Sequence, residues 1–301
     1  MKIVFMGTPD YADVILKKCL EEEGLDVVSV YTQPDKPVGR KKVLTPPPVK
    51  VTAQNEGVAF RQPLSLKDES VAKEIAKVSP DFIVVAAYGQ LLPKKILNIA
   101  PCINLHASLL PKYRGASPIQ QALLNGDRVT GVTAMLMEEG LDSGPILGWS
   151  VTEIGLDERK AELFERLSHI AADLTVDTLK SFSYISPLPQ CGADATYCKK
   201  IERKDGLITF EMEAPEIYNR FRAYEGWPGI YLESGLKLFE LSLASGEGRP
   251  GEILEIEEEG ATVACKMGAL KIKEVQPPSK KRMDILSYIR GKRLKVEDIR
   301  F

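Results

Sequence analysis

The chain has 301 residues, of which 44% are hydrophobic and 27% charged. That leaves room for about two domains, in the composition of an ordinary globular protein, which excludes wholesale disorder. Its longest apolar run, Phe82 to Ala87 with Tyr88 after it, falls far short of the roughly 18 residues that cross a bilayer, and the opening MKIVFMGTPD turns polar by Asp10, too early for a secretory signal; no membrane partner and a cytoplasmic location are expected.

From the first residues onward, apolar runs alternate with helical patterns, which predicts an α/β domain with a parallel sheet covered by helices. Lys2 to Gly7 reads as a buried first strand, with Thr8 and Pro9 as cap and first position of a helix. Further strands are predicted at Asp26 to Gln33, Asp81 to Gly89, Ile103 to Ser108 and Val129 to Met137. A long amphipathic helix follows Asp157, with Leu163, Leu167, Ile170 and Leu174 at helical spacing. Near Phe182 the texture changes: SPLPQCGADATY, rich in Pro and Gly, predicts a linker over 186–204. Beyond it, short alternating segments broken by Gly predict a small β-barrel over 205–301, so that 1–185 forms the first domain.

The net charge of −2 hides two basic segments. Between Asp35 and Lys50 five basic residues face Asp35 alone, and from Lys271 onward ten Lys or Arg face four acidic residues. A polyanion footprint and a merely solubilising tail both fit such charge. The five cysteines are odd in number and scattered, without a CxxC pair. Reduced thiols in packing roles are expected, and no metal site.

Asn104 and His106 stand two apart in a strand pattern, so both leave the same face of the sheet. A buried parallel strand normally reads as continuous Val, Ile and Leu. A core histidine satisfied by a neighbouring amide explains such a pair, and so does chemistry: an imidazole takes up a proton near neutral pH and an amide donates to a developing oxyanion. Asp142, bracketed by Gly140 and Gly144 after the strand at 129–137, is either a turn residue or a carboxylate that orients His106. His169, on the polar side of the long helix, is expected to be solvated.

The runs INLHASLLPKYRGASPIQ (103–120), GVTAMLMEEGLDSGPIL (131–147) and AYGQLLP (87–93) resemble the folate-dependent formyltransferase family. With the opening MGTPDYA, the loop TQPDKPVGRKKVLTPPPVK (32–50) and the tail, the resemblance spans the chain and is strongest to the members acting on methionyl-tRNA. It departs mildly at Ser143 and Ser117, where Thr and Ala are common. The resemblance implies a Rossmann-like catalytic domain followed by an OB-like barrel, and formyl transfer from 10-formyltetrahydrofolate to the amine of initiator methionyl-tRNA, without a metal. It implies a catalytic set of Asn104, His106 and Asp142, and folate contacts at Tyr88, Gly89, Gln90, Leu91 and Leu92 and at Ser108, Leu109, Leu110 and Pro111. It further implies tRNA contacts at Lys36, Arg40, Lys41 and Lys42. A monomer is expected. The rival readings are transfer to a small amine, such as a sugar nucleotide or glycinamide ribonucleotide, and a non-catalytic RNA-binding protein; a dinucleotide oxidoreductase is disfavoured because the first turn, GTPD, lacks GxGxxG.

Overall fold

The computed structural model describes residues 1–39 and 41–299. In chain order the first elements are β1 (Lys2–Gly7), α1 (Asp10–Glu21), β2 (Asp26–Tyr31), β3 (Lys36–Val38), β4 (Val43–Thr45), α2 (Pro48–Asn55), β5 (Phe60–Arg61) and α3 (Glu69–Lys77). Then come β6 (Phe82–Ala86), α4 (Lys94–Leu97), β7 (Cys102–His106), β8 (Arg114–Gly115), α5 (Pro118–Leu124), β9 (Val129–Leu136), β10 (Ile146–Glu153), α6 (Lys160–Ser181) and β11 (Tyr197–Cys198). The remainder is α7 (Ala214–Ala223), β12 (Ile230–Tyr231), β13 (Lys237–Ala244), β14 (Ile253–Glu257), β15 (Gly260–Ala264), β16 (Ala269–Gln276), β17 (Met283–Asp284) and α8 (Ile285–Lys292). Two units result. One holds Met1–Pro118, Arg128–Ile154 and Glu162–Lys199; the other holds Ile119–Asp127, Gly155–Ala161 and the chain from Lys200 onward.

The first unit is built on a seven-stranded sheet of order β10-β9-β7-β6-β1-β2-β5. Continuous apolar runs place β1 and β6 at its buried centre, where both faces are covered and alternation would expose nothing useful. On one face Val4, Met6, Ile83, Val85 and Cys102 pack with Val71 and Ile75 of α3, Ile96 of α4 and the side chains of Tyr31, Tyr88 and Leu92. The helix predicted after Asp157 is α6, which buries Leu163 and Leu167, and His169 is exposed on it.

Several expectations are corrected. The sheet is mixed: β9 runs antiparallel to β7, and β10 antiparallel to β9. The strand β10 has no clear sequence signal, because its inner residues are interleaved with exposed Trp149 and Val151 on an edge that is only half covered. Thr8 does not cap α1; its hydroxyl donates to the carbonyl of Tyr88 (3.0 Å) and so ties the end of β1 to the turn after β6. Much of the segment expected to be a linker is fastened into the first unit: Leu188 exchanges two backbone hydrogen bonds with Ile146 (2.8 Å each), and β11 pairs parallel to β8. Its irregular composition reflects short, isolated backbone pairings instead of packing on a sheet face. Four of the five cysteines are buried as expected of packing residues, whereas Cys191 is exposed.

The second unit carries a six-stranded antiparallel sheet of order β12-β13-β16-β15-β14, with β17 on β16. Every residue of β15 is buried at its centre. The side chain of Asp284 caps α8 by accepting from the backbone N–H of Ser287 (2.8 Å). Part of the terminal positive charge is neutralised locally, since Lys271, Lys273 and Arg282 pair with Glu257, Glu259 and Glu274. Lys280, Lys281, Arg290, Lys292, Arg293 and Lys295 are exposed.

Candidate active site

Strand β7 carries Asn104 and His106 on one face, beside Val85 of β6 on one side and Met135 and Thr133 of β9 on the other. The apolar face thus ends in two polar groups. His106 is 6% exposed, so its ring is satisfied chiefly within the protein. Nε2 lies 2.8 Å from the carbonyl oxygen of Tyr113. A carbonyl only accepts, so Nε2 carries a proton. Nδ1 faces Asp142, 3.7 Å from Oδ2, beyond hydrogen-bond range. A proton arriving on Nδ1 would meet a carboxylate.

Asp142 reaches this place by an unexpected route. Because β9 is antiparallel, its carboxyl end lies beside the start of β7, with the Met137 N–H bonded to the Cys102 carbonyl (2.8 Å). The loop after β9 therefore folds back over the sheet face instead of leaving from the same edge as the end of β7. Gly144 permits the return, for a Cβ there would stand 1.9 Å from the carbonyl oxygen of Leu136. Asp142 itself holds φ at 48°, a left-handed conformation that costs a non-glycine residue about 1 kcal/mol or more. Its Oδ1 accepts from Asn104 Nδ2 at 3.4 Å, and its Oδ2 accepts from the Gly115 N–H at 2.8 Å. The three residues singled out in the sequence are thus brought together.

The scaffold around them is not evident in the sequence. Thr133 accepts from the Leu110 N–H (3.0 Å) and donates to the Ser108 carbonyl (2.6 Å), pinning the turn that follows β7. Thr196 Oγ1 accepts from the N–H of Tyr113 (2.9 Å), the residue whose carbonyl meets His106. The Cys198 thiol, pushed up by burial and further by the charge of Asp142, stays protonated and donates to the same carbonyl (3.4 Å). Gly115 lies so close to β11 that a Cβ would stand 2.2 Å from the Cys198 carbonyl oxygen. Gln190 bonds the backbone carbonyls of Asp142 and Gly144 at one end and Arg114 at the other. A polar residue between Pro189 and Cys191 is the only local signal for it.

The loops expected to receive folate follow β6 and β7, which are parallel neighbours, so both leave the same edge of the sheet. Leu91 is 75% exposed, Gly89 is exposed, and Gln90, Leu109 and Pro111 are half-buried. By contrast the side chains of Tyr88, Leu92, Ser108 and Leu110 are buried and support the loops from beneath, so a ligand would meet those four residues through their backbone. Gln33 Nε2 and Thr8 both donate to the Tyr88 carbonyl. Gln90 accepts from the Leu66 N–H (3.1 Å) and donates to the Pro63 carbonyl (3.2 Å).

Strands β3 and β4 form a hairpin that exposes Lys36, Lys41 and Lys42 together with Val38, Val43 and Leu44. At its base Lys50 is paired with Asp35 (2.8 Å), so it does not add to the free positive charge. The Lys50 ammonium, helped by the Gln62 amide, holds the Asp35 carboxyl below its ordinary value. Arg40 lies outside the described residues. Among the described residues no helix is long and apolar enough to cross a membrane, and no group of three His, Cys, Asp or Glu is placed to hold a metal ion.

An amide donor, an imidazole and a carboxylate grouped on one sheet face, beside loops open at the sheet edge, are the equipment of an acyl-group-transferring enzyme. The description "Formyl transferase" matches residues 1–179, and "Formyl transferase, C-terminal domain" matches residues 200–293. The chain belongs to the formyl transferase family. A methionyl-tRNA formyltransferase of a Nitratiruptor species is 57% identical over 100% of both chains, and one of Campylobacter curvus is 56% identical over 98% of both. Among solved structures, an N-formyltransferase from Helicobacter canadensis in complex with folinic acid and dTDP-3-aminofucose superposes with a TM-score of 0.70. It covers 94% of this chain and 100% of its own at 16% identity, a likeness of fold.

Proposed function

We propose that the chain transfers the formyl group of 10-formyltetrahydrofolate to the free amino group of initiator methionyl-tRNA, as a monomer in the cytoplasm. The convergence of Asn104, His106 and Asp142 on one sheet face carries this reading, together with relatives of that name aligned over the whole chain. In this scheme residues 1–185, with the stretch up to Lys199 fastened to them, are the catalytic part, and 205–301 the tRNA-binding domain.

The donor fits the residues present. Exposed Leu91 and half-buried Leu109 and Pro111 offer apolar surface, and Gly89 leaves backbone accessible beside it, the mixture a flat heteroaromatic ligand uses. When bound, the donor supplies a formyl carbon on nitrogen that is open to attack by the aminoacyl amine. Asn104 has one N–H committed to Asp142 and a second to donate to the developing oxyanion. His106 Nδ1 takes the proton that the attacking amine sheds and passes it to the departing folate nitrogen. Meanwhile the Tyr113 carbonyl keeps the Nε2 proton fixed, and Asp142 stabilises the imidazolium that forms. Asp142 works through His106. Lys36, Arg40, Lys41 and Lys42 in the β3–β4 segment meet tRNA phosphates.

A transfer assay tests the reading, using 10-formyltetrahydrofolate with charged initiator tRNA and, as alternative acceptors, free methionine, glycinamide ribonucleotide and a sugar-nucleotide amine. Formylation of the charged tRNA at a kcat/KM about 10⁴ or more above any small amine is expected, the scale that a site built for specific polar contacts reaches. Preference for a small amine would overturn it.

A further inference from the structure

We propose that Gln190 is a positioning residue for formyl transfer, acting through Asp142; this rests on the reading of Asn104, His106 and Asp142 given above. Its side-chain amide is fully used. Nε2 donates to the carbonyl of Asp142 (2.9 Å) and to that of Gly144 (2.7 Å). Oε1 accepts from Arg114 Nε (3.1 Å) and Nη2 (2.7 Å). Two carbonyls at one end require N–H groups and a guanidinium at the other requires oxygen, so the amide has one orientation only.

The result is a closed circuit. Gln190 binds the backbone of Asp142 and the side chain of Arg114, Arg114 is bonded in the chain to Gly115, and the Gly115 N–H binds the carboxylate of Asp142. Asp142 is thereby held by main chain and side chain at once. Its left-handed φ of 48° persists only where the surroundings over-determine it, and the circuit does this. Arg114 is 6% exposed and bonds neutral acceptors: Gln190, and the Tyr197 hydroxyl at 3.5 Å. It is a buried cation whose chief acceptor is the amide that aims the carboxylate. Gln190 touches no reacting atom, and without it the carboxylate would be free to drift relative to His106 Nδ1.

Three enzymes decide this beside the wild type: Gln190→Met, Asp142→Asn and the double variant, each assayed for kcat, both KM values and melting temperature. Gln190→Met keeps length and volume and removes the bonds to Asp142, Gly144 and Arg114. It should lower kcat by roughly tenfold to 10²-fold, the scale of a catalytic group displaced by about an ångström, with both KM values within about twofold of wild type. In the Asp142→Asn background the same change should lower kcat by less than about twofold, because its target is already gone. Losses that multiply in the double variant, or a kcat for Gln190→Met within twofold of wild type, overturn the proposal. Should Gln190→Met fail to fold for want of an acceptor at Arg114, Gln190→Glu serves. It satisfies Arg114 as an ion pair, offers the two carbonyls no donor, and should stay folded with low kcat; full activity in it refutes the role. If His106→Ala and Asp142→Asn both retain wild-type turnover, the site reading itself fails and takes the proposal with it, an outcome distinct from the failure of Gln190 alone.

Discussion

His106 donates a hydrogen bond from Nε2 to the Tyr113 carbonyl at 2.8 Å, whereas its Nδ1 stands 3.7 Å from the carboxylate of Asp142. The two nitrogens therefore have separate duties: one is anchored to backbone, the other is open to exchange. Asp142→Asn keeps an oxygen for the Gly115 N–H but removes the charge that an Nδ1 proton would meet. Turnover should drop by about 10²-fold or more, on the scale of acid–base contributions. Single-turnover transfer measures it, and a rate within threefold of wild type would remove Asp142 from the mechanism.

Asn104 is bonded at 3.4 Å to Asp142 Oδ1, which leaves its second N–H for the substrate. Loss of an oxyanion donor costs about 10²–10³ in turnover, so Asn104→Ala should lose that much kcat. Affinity for the formyl donor, read by titration of its binding, should hold within a few-fold. A change confined to binding would assign Asn104 to ligand recognition.

Gly115 stands with φ at 120° and no room for a Cβ against the Cys198 carbonyl. Gly115→Ala should therefore cost about 2–4 kcal/mol through strain and displaced backbone. It should also lower turnover, because the Gly115 N–H is one of the bonds to Asp142. Denaturant unfolding beside kinetics tests both halves; an alanine variant of wild-type stability would show that β8 and β11 part easily.

Lys36, Lys41 and Lys42 are exposed to water in the β3–β4 hairpin. Their joint replacement by Ala should raise the KM for tRNA and leave kcat at saturation largely unchanged. The slope of log KM against log salt should fall by about 0.7–0.9 for each phosphate that the variant no longer neutralises. Unaltered salt dependence would take the hairpin out of tRNA binding and favour a small acceptor.

Tyr88 offers a test of burial. Among the described residues its hydroxyl is enclosed without a hydrogen-bond partner, and burial, reinforced by Tyr31, pushes its phenol from 10.0 to about 12. A phenol that ionises later in the folded state than in the unfolded one leaves stability intact below pH 10. The stability is then lost as pH rises through 12. Tyr88→Phe should match or exceed the wild type by up to about 1 kcal/mol at neutral pH, and lose less at high pH. Alkaline unfolding curves measure it, and a large loss at neutral pH would mean that the hydroxyl has a partner after all.

The strands β1 and β6 are legible because a strand covered on both faces is written as an apolar run, and α6 because one stripe of it is apolar. Strand β10 is not, since an edge strand mixes inner and outer residues without a clear period. The segment around Gln190 and Thr196 has the composition of a linker for a related reason: its bonds are made residue by residue to loops, which leaves no repeat to read. The direction of β9 is also hidden, because hydrophobic content is the same whichever way a strand runs.

The order of residues alone set which chemical groups this protein brings to a site: an amide and an imidazole two apart on a strand, a carboxylate between glycines, cations on a loop. Tertiary structure alone decided which of them meet and through which atoms. The Gly115 N–H and the Gln190 amide reach Asp142 across 27 and 48 residues of chain, and no local periodicity records a hydrogen bond over such a separation. The burial of Tyr88 and the proton on His106 Nε2 likewise follow from neighbours that only the folded chain supplies.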